Sequence, residues 1–212
     1  TARKKKYVVA DEGATPVIDL QNKEAGFIIS ADYWEFDGIT VMNSGGNSKP
    51  FHIGGNHNLV KNCTFHDNGD CGLQISRTDS SDSFEDWPPN NLILNCESYN
   101  NCDPSKNNAD GFAIKLTVGN NNVFKGCVSH HNLDDGWDLY TKLSTGAIGV
   151  VQVEDCASYR QGFQLLDDGT DVDYRATSGG NGFKAGGESI AVMHYFKDCI
   201  SFNNSILFTS CL

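Results

Sequence analysis

The sequence predicts an all-β protein, a right-handed parallel β-helix in which the chain coils as a solenoid. Three observations carry that reading. A short phrase ending in Asn or Gln recurs along the chain: Asn62-Cys-Thr-Phe-His-Asp-Asn68, Asn95-Cys-Glu-Ser-Tyr-Asn-Asn101, Gly126-Cys-Val-Ser-His-His-Asn132, Asp155-Cys-Ala-Ser-Tyr-Arg-Gln161 and Asp198-Cys-Ile-Ser-Phe-Asn-Asn204. Each copy follows an alternating run too short for a helix, such as Asn58-Leu-Val-Lys-Asn62 or Asn91-Leu-Ile-Leu-Asn95. The 212 residues include 22 Gly but only 5 Pro and 2 Met, a turn-rich balance. Strands recurring at such a period, with an amide at a fixed turn position, describe rungs that stack only on their neighbours.

Taken in order, strand-like Tyr7-Val-Val-Ala10 and Pro16-Val-Ile-Asp19 open the chain. Asp37-Gly-Ile-Thr-Val-Met-Asn43 reads as an early copy of the phrase without its cysteine. The cysteines at 63, 96, 127, 156 and 199 then mark rungs at intervals of 33, 31, 29 and 43 residues. The longest interval holds an insertion over 165–180, polar and rich in Gly and Asp, as suits a surface loop. Asn43, Asn68, Asn101, Asn132, Gln161 and Asn204 are expected to form an amide ladder at one corner, at positions tolerating a left-handed backbone. The whole span 1–212 reads as a single domain. Neither end carries a polar cap, so one or both caps are expected to be missing and the chain to be a fragment of a longer one.

Composition narrows the function. A formal net charge of −11 argues against a nucleic-acid partner, and no apolar run approaches the ~20 residues that span a membrane. Five of the eight cysteines fall at one position of the repeat and read as a buried row of small apolar side chains. Cys71, Cys102 and Cys211 lie outside that row, and a Cys71–Cys102 pairing is open. His130 and His131 read as turn residues.

After the amide corner each rung offers a second phrase: Cys71-Gly-Leu-Gln74, Asp110-Gly-Phe-Ala113, Asp135-Gly-Trp-Asp138 and Asn181-Gly-Phe-Lys184. In register, Leu73, Phe112, Trp137 and Phe183 point inward and stack. Alternation then sends Gln74, Ala113, Asp138 and Lys184 into one outward column, with Asp110 and Asp135 in another. Asp110, Asp134, Asp135 and Asp138 would converge, and four close carboxylates repel unless a cation joins them. All-oxygen ligation suits Ca²⁺ better than zinc, and a rigid wall ill suits the strict octahedron of Mg²⁺. Lys184 faces that cluster amid glycines, where a polymer can approach the backbone. Lys115, Lys142, Arg160 and Arg175 are weaker candidates for pairing with anionic groups of a substrate.

Ala109-Asp-Gly-Phe-Ala113, Asn132-Leu-Asp-Asp-Gly-Trp-Asp138 and Gly180-Asn-Gly-Phe-Lys-Ala-Gly-Gly187 resemble the signature segments of family 9 polysaccharide lyases, pectate lyases with a parallel β-helix. The similarity runs roughly from Pro16 to Asn204. It implies that Asp110, Asp134, Asp135 and Asp138 bind a catalytic Ca²⁺ and that Lys184 is the Brønsted base. The implied reaction is β-elimination in polygalacturonate, the acidic chain of pectin, with secretion following from the polymer substrate; the chain itself is expected to be a monomer. Two other classes compete: a β-helix glycoside hydrolase using two carboxylates, and a non-catalytic carbohydrate-binding or adhesin β-helix.

Overall fold

The computed structural model describes residues 4–210. Three parallel sheets of seven strands each form the faces of one β-helix, and successive strands of the chain step from sheet to sheet. The first face runs from Lys6–Val9 to Tyr195–Lys197, the second from Val17–Lys23 to Ile200–Phe202. The third comprises Phe27–Ile29, Phe51–Ile53, Leu73–Ile75, Phe112–Ile114, Trp137–Asp138, Asn181–Ala185 and Ile206–Ser210.

Three-residue strands can turn so sharply because single residues at the corners take left-handed backbone. Between the first and second faces these are Gly38, Asn62, Asn95, Gly126, Asp155 and Asp198. Between the second and third they are Asn43, Asp67, Asn100, His131, Arg160 and Asn203. Asn, Asp and Gly dominate because they tolerate positive φ, and His131 and Arg160 take it at the same corner.

The amide ladder occupies the position just after that second corner, which corrects two expectations. The ladder residues do not themselves carry the left-handed backbone, and Asn43 is not among them. Thr40 pairs with Thr64 and Met42 with His66, so Asn43 falls opposite Asp67 and Ser44 opposite Asn68. Ile39 therefore takes the place of the cysteine in the early copy, and Asn43 bonds sideways to Asp19. From Asn68 onward the ladder is continuous. Asn68 Nδ2 donates to Asn101 Oδ1 (3.0 Å), Asn101 Nδ2 to Asn132 Oδ1 (2.7 Å) and Asn132 Nδ2 to Gln161 Oε1 (3.2 Å). Gln161 N then donates to Asn204 Oδ1. A second ladder, not foreseen, runs at the next corner: Asn58 N donates to Asn91 Oδ1 and Asn91 N to Asn122 Oδ1. Each bond satisfies a buried amide that could otherwise be paired only by water.

The interior is filled in columns. Phe112 stacks on Trp137 at 5.0 Å and Trp137 on Phe183 at 4.9 Å, in the register Leu73–Phe112–Trp137–Phe183. Cys63, Cys96, Cys127 and Cys156 are buried and free, with Cys199 half-buried beyond them. Cys71 and Cys102 are free thiols too, so the open pairing is not made: Cys71 faces Gln74 and Cys102 the Asp103 carbonyl. Cys211 lies outside the described residues. Within the long interval, Phe163–Leu165 and Asp171–Asp173 pair as an antiparallel hairpin that starts two residues before the expected insertion.

Candidate active site

The third face carries the site, and the local sequence explains why it is built there. Behind Gly111 lies Ser129: a Cβ on this glycine would sit 2.0 Å from Ser129 Oγ. Gly136 is confined in the same way by Ser158, at 2.2 Å. The Asp-Gly-aromatic unit is thus a wedge. Glycine lets the corner press against the interior serines, the ring after it anchors in the core stack, and the aspartate before it is left at the corner.

Each corner carboxylate accepts from the backbone one rung along. Asp135 N donates to Asp110 Oδ1 (3.1 Å), and Asn181 N donates to Asp135 Oδ1 (2.9 Å). Asp134 is held by its own N–H on the Ala109 carbonyl (3.1 Å). Its Oδ1 lies where a Cβ on Gly179 would be 2.3 Å away, so only glycine lets the returning insertion pass. In the outward column Ala113 pairs with Asp138 and Asp138 with Lys184. The four carboxylates are nonetheless buried: Asp110 and Asp135 are 0% exposed, Asp138 2% and Asp134 8%.

Two lysines enter this buried cluster from different rungs. Lys184 Nζ lies 2.9 Å from Asp135 Oδ2 and 3.4 Å from Asp138 Oδ1, above the ring of Tyr140. Lys115 Nζ lies 2.6 Å from Asp110 Oδ2 and 2.8 Å from Asp138 Oδ2. Lys115 is therefore a member of the cluster and not a group on an open surface. Alternation along Phe112–Ile114 signals this, since Lys115 has the same parity as Ala113; Tyr140, likewise unforeseen, has the parity of Asp138.

The charges do not balance within the chain. If all four carboxylates are ionised they exceed the two ammonium groups by two negative charges, in a place almost closed to solvent. Burial pushes the carboxyl of Asp110 well above its ordinary range, with Asp138, Asp134 and Asp135 adding to the shift against Lys115. Burial and the neighbouring Asp135 push Asp134 up to about 7, and burial with Asp138 raises Asp135. Burial would depress both lysines, but the aspartates outweigh it and raise Lys115 and Lys184 above the ordinary lysine range. Oxygens of Asp110, Asp134 and Asp135 lie within 4.8 Å of one another, a spacing that suits one cation. Asp138 stands outside that trio and takes both lysines, while its Oδ1 is buried without a hydrogen-bond donor. A residual charge of two, an all-oxygen donor set and an orphaned carboxylate oxygen together fit a hard divalent cation.

The other basic candidates are elsewhere. Arg160 pairs with Asp171, and Arg175 pairs with Asp173 at 2.7 Å while lying over the ring of Phe163. Both acids belong to the hairpin. Lys142 opens a turn closed by a bridge to Gly146.

A parallel β-helix with a buried carboxylate–lysine cluster on one face defines the class: solenoids that carry a site on the outer side of a sheet. Residues 1–207 match the family model described as the Pel9A-like, right-handed β-helix region, and the chain belongs to that family. It is 54% identical to pectate lyase L of Thermoclostridium stercorarium over 211 residues, covering 99% of this chain and 16% of that protein. It is 42% identical to pectate lyase L of Paenibacillus polymyxa, covering 94% and 44%. The crystal structure of pectate lyase Pel9A superposes with a TM-score of 0.73 at 28% identity, over 93% of this chain and 46% of that one. The chain thus spans less than half the length of these relatives.

Proposed function

We propose that this chain is the β-helix region of a calcium-dependent pectate lyase that cleaves polygalacturonate by β-elimination. The observation that carries the reading is the single face on which Asp110, Asp134, Asp135 and Asp138 meet Lys184 in register, in a chain of the Pel9A-like family whose relatives include pectate lyases.

The aspartates would hold the cation, with Asp110, Asp134 and Asp135 presenting neighbouring oxygens and Asp138 its orphaned one. Bound Ca²⁺ would act as a Lewis acid toward the uronate carboxylate and acidify the proton on C5. Lys184, as a neutral amine, takes that proton. The C5 electron pair forms the C4–C5 double bond, the C4–O bond breaks, and the leaving oxygen takes a proton from solvent water. The ring of Tyr140 beneath Lys184 limits where Nζ can point, and Asp138 and Asp135 hold the ammonium on the same spot between turnovers. Arg160 and Arg175, which pair with acids of the hairpin, and Lys142, at a turn, are the weaker candidates for contact with further uronate carboxylates.

The test is incubation with polygalacturonate at alkaline pH, following the ultraviolet absorbance of the unsaturated product with Ca²⁺ and then with chelator. Absorbance that rises with Ca²⁺ and stops with chelator supports the reading. Saturated reducing ends produced with or without Ca²⁺ would indicate a hydrolase instead.

A further inference from the structure

Lys115 has no place in the reaction just described, yet it is among the most firmly held side chains of the site. It lies 13% exposed with its ammonium against Asp110 Oδ2 and Asp138 Oδ2, while Lys184 takes Asp135 Oδ2 and the other oxygen of Asp138. Asp138 accepts from Lys115 at Oδ2, while Lys184 stands 3.4 Å from its buried Oδ1 as an ion pair that makes no hydrogen bond to it. Lys115 thus satisfies two carboxylates that a divalent cation would also use.

We propose that Lys115 is a tethered counter-ion, a positioning residue that holds Asp110 and Asp138 in place when no cation is bound and weakens the cation's binding by its own charge. The inference rests on the reading that this cluster binds a divalent cation. An ammonium sharing carboxylates with a divalent ion stands a few ångströms from it, where like charges repel strongly in a site with so little water. A purely structural lysine would have the opposite consequence: removing it would disorder the ligands and loosen the cation.

The experiment is a calorimetric Ca²⁺ titration of the full chain at pH 8, with thermal melts in chelator and in Ca²⁺. Lys115→Met is expected to bind Ca²⁺ about tenfold tighter or more. In chelator it should melt below the wild type and recover on adding Ca²⁺. Lys115→Arg keeps the charge and should bind within about threefold of wild type. If Lys115→Met does not fold, Lys115→Gln is read in its place and should move in the same direction. Wild-type binding with an unchanged or weaker neutral variant overturns the inference alone. No binding by any of these proteins removes the cation reading and this inference with it.

Discussion

At the scale of single residues, Lys184 and Asp138 separate chemistry from charge. Lys184→Ala removes the proposed base and leaves the aspartates, so kcat with polygalacturonate should fall by about two to four orders of magnitude, the range of general-base catalysis. Ca²⁺ binding, read by calorimetry, should persist or tighten. A variant retaining more than a tenth of wild-type turnover would remove Lys184 from the base position. The pH profile follows from the same residue. An ordinary lysine titrates near 10.4, and Asp138 and Asp135 raise Lys184 against the opposing effect of burial. The reactive neutral amine therefore grows with pH, and kcat/KM should climb through the alkaline range; a maximum near pH 5 is incompatible with this base. Asp138 and Lys184 were legible together in the sequence, because the period-two alternation of strands assigns them one column once the rungs are aligned. Lys115 was harder to place, since most lysines are solvated and nothing in its immediate neighbours announces burial. Only the parity it shares with Ala113 betrays the face it occupies.

At the scale of elements, the corner is the unit that decides whether the face forms. Asn101 donates to Asn132 and accepts from both the N–H and the side chain of Asn68, and all three residues are buried. Asn101→Ala would strand these partners at about 1–3 kcal/mol for each group left unpaired, and a clear fall in Tm should appear in a melt. Gly111→Ala drives a methyl into Ser129 Oγ and toward the Gly136 carbonyl, an overpacking of about 1–3 kcal/mol or more. It should also weaken Ca²⁺ binding, because Asp110 would move with its corner. A Gly111→Ala protein with wild-type Tm and calcium affinity would show that the wedge is not needed. The repeating phrase revealed these rungs because each residue type recurs for a fixed physical reason. It misplaced the first copy by one residue because Ile39 fills the cysteine's position there, removing the landmark. The hairpin after Gly162 could not be read from polarity alone: its strand Asp171–Asp173 is pinned at Asp171 by His131 and Arg160, and its partner strand by Leu165 N donating to Asn100 Oδ1, contacts that come from earlier rungs.

At the scale of the whole molecule, a net charge of −11 and the polyanionic substrate proposed above conflict unless charge is managed locally. The buried cluster is where that conflict is concentrated, and it makes stability depend on pH in an unusual direction. Asp134, pushed up to about 7, binds its proton more tightly folded than unfolded, where it would titrate near 3.9. The folded state then holds more protons than the unfolded one between those values, so stability falls as pH rises from about 4 to 7. In chelator the Tm should therefore decline across that window, with a few kcal/mol at stake, and Ca²⁺ should restore it most at the upper end. Asp134→Asn, lacking one of the raised carboxyls, should make the decline in chelator shallower without abolishing it, since Asp110 and Asp135 are raised too. A Tm in chelator that rises steadily from pH 4 to 7 in the wild type would mean the carboxylates are already neutralised inside the chain. The two lysines would then suffice for the cluster, and the reason for a cation there would fail.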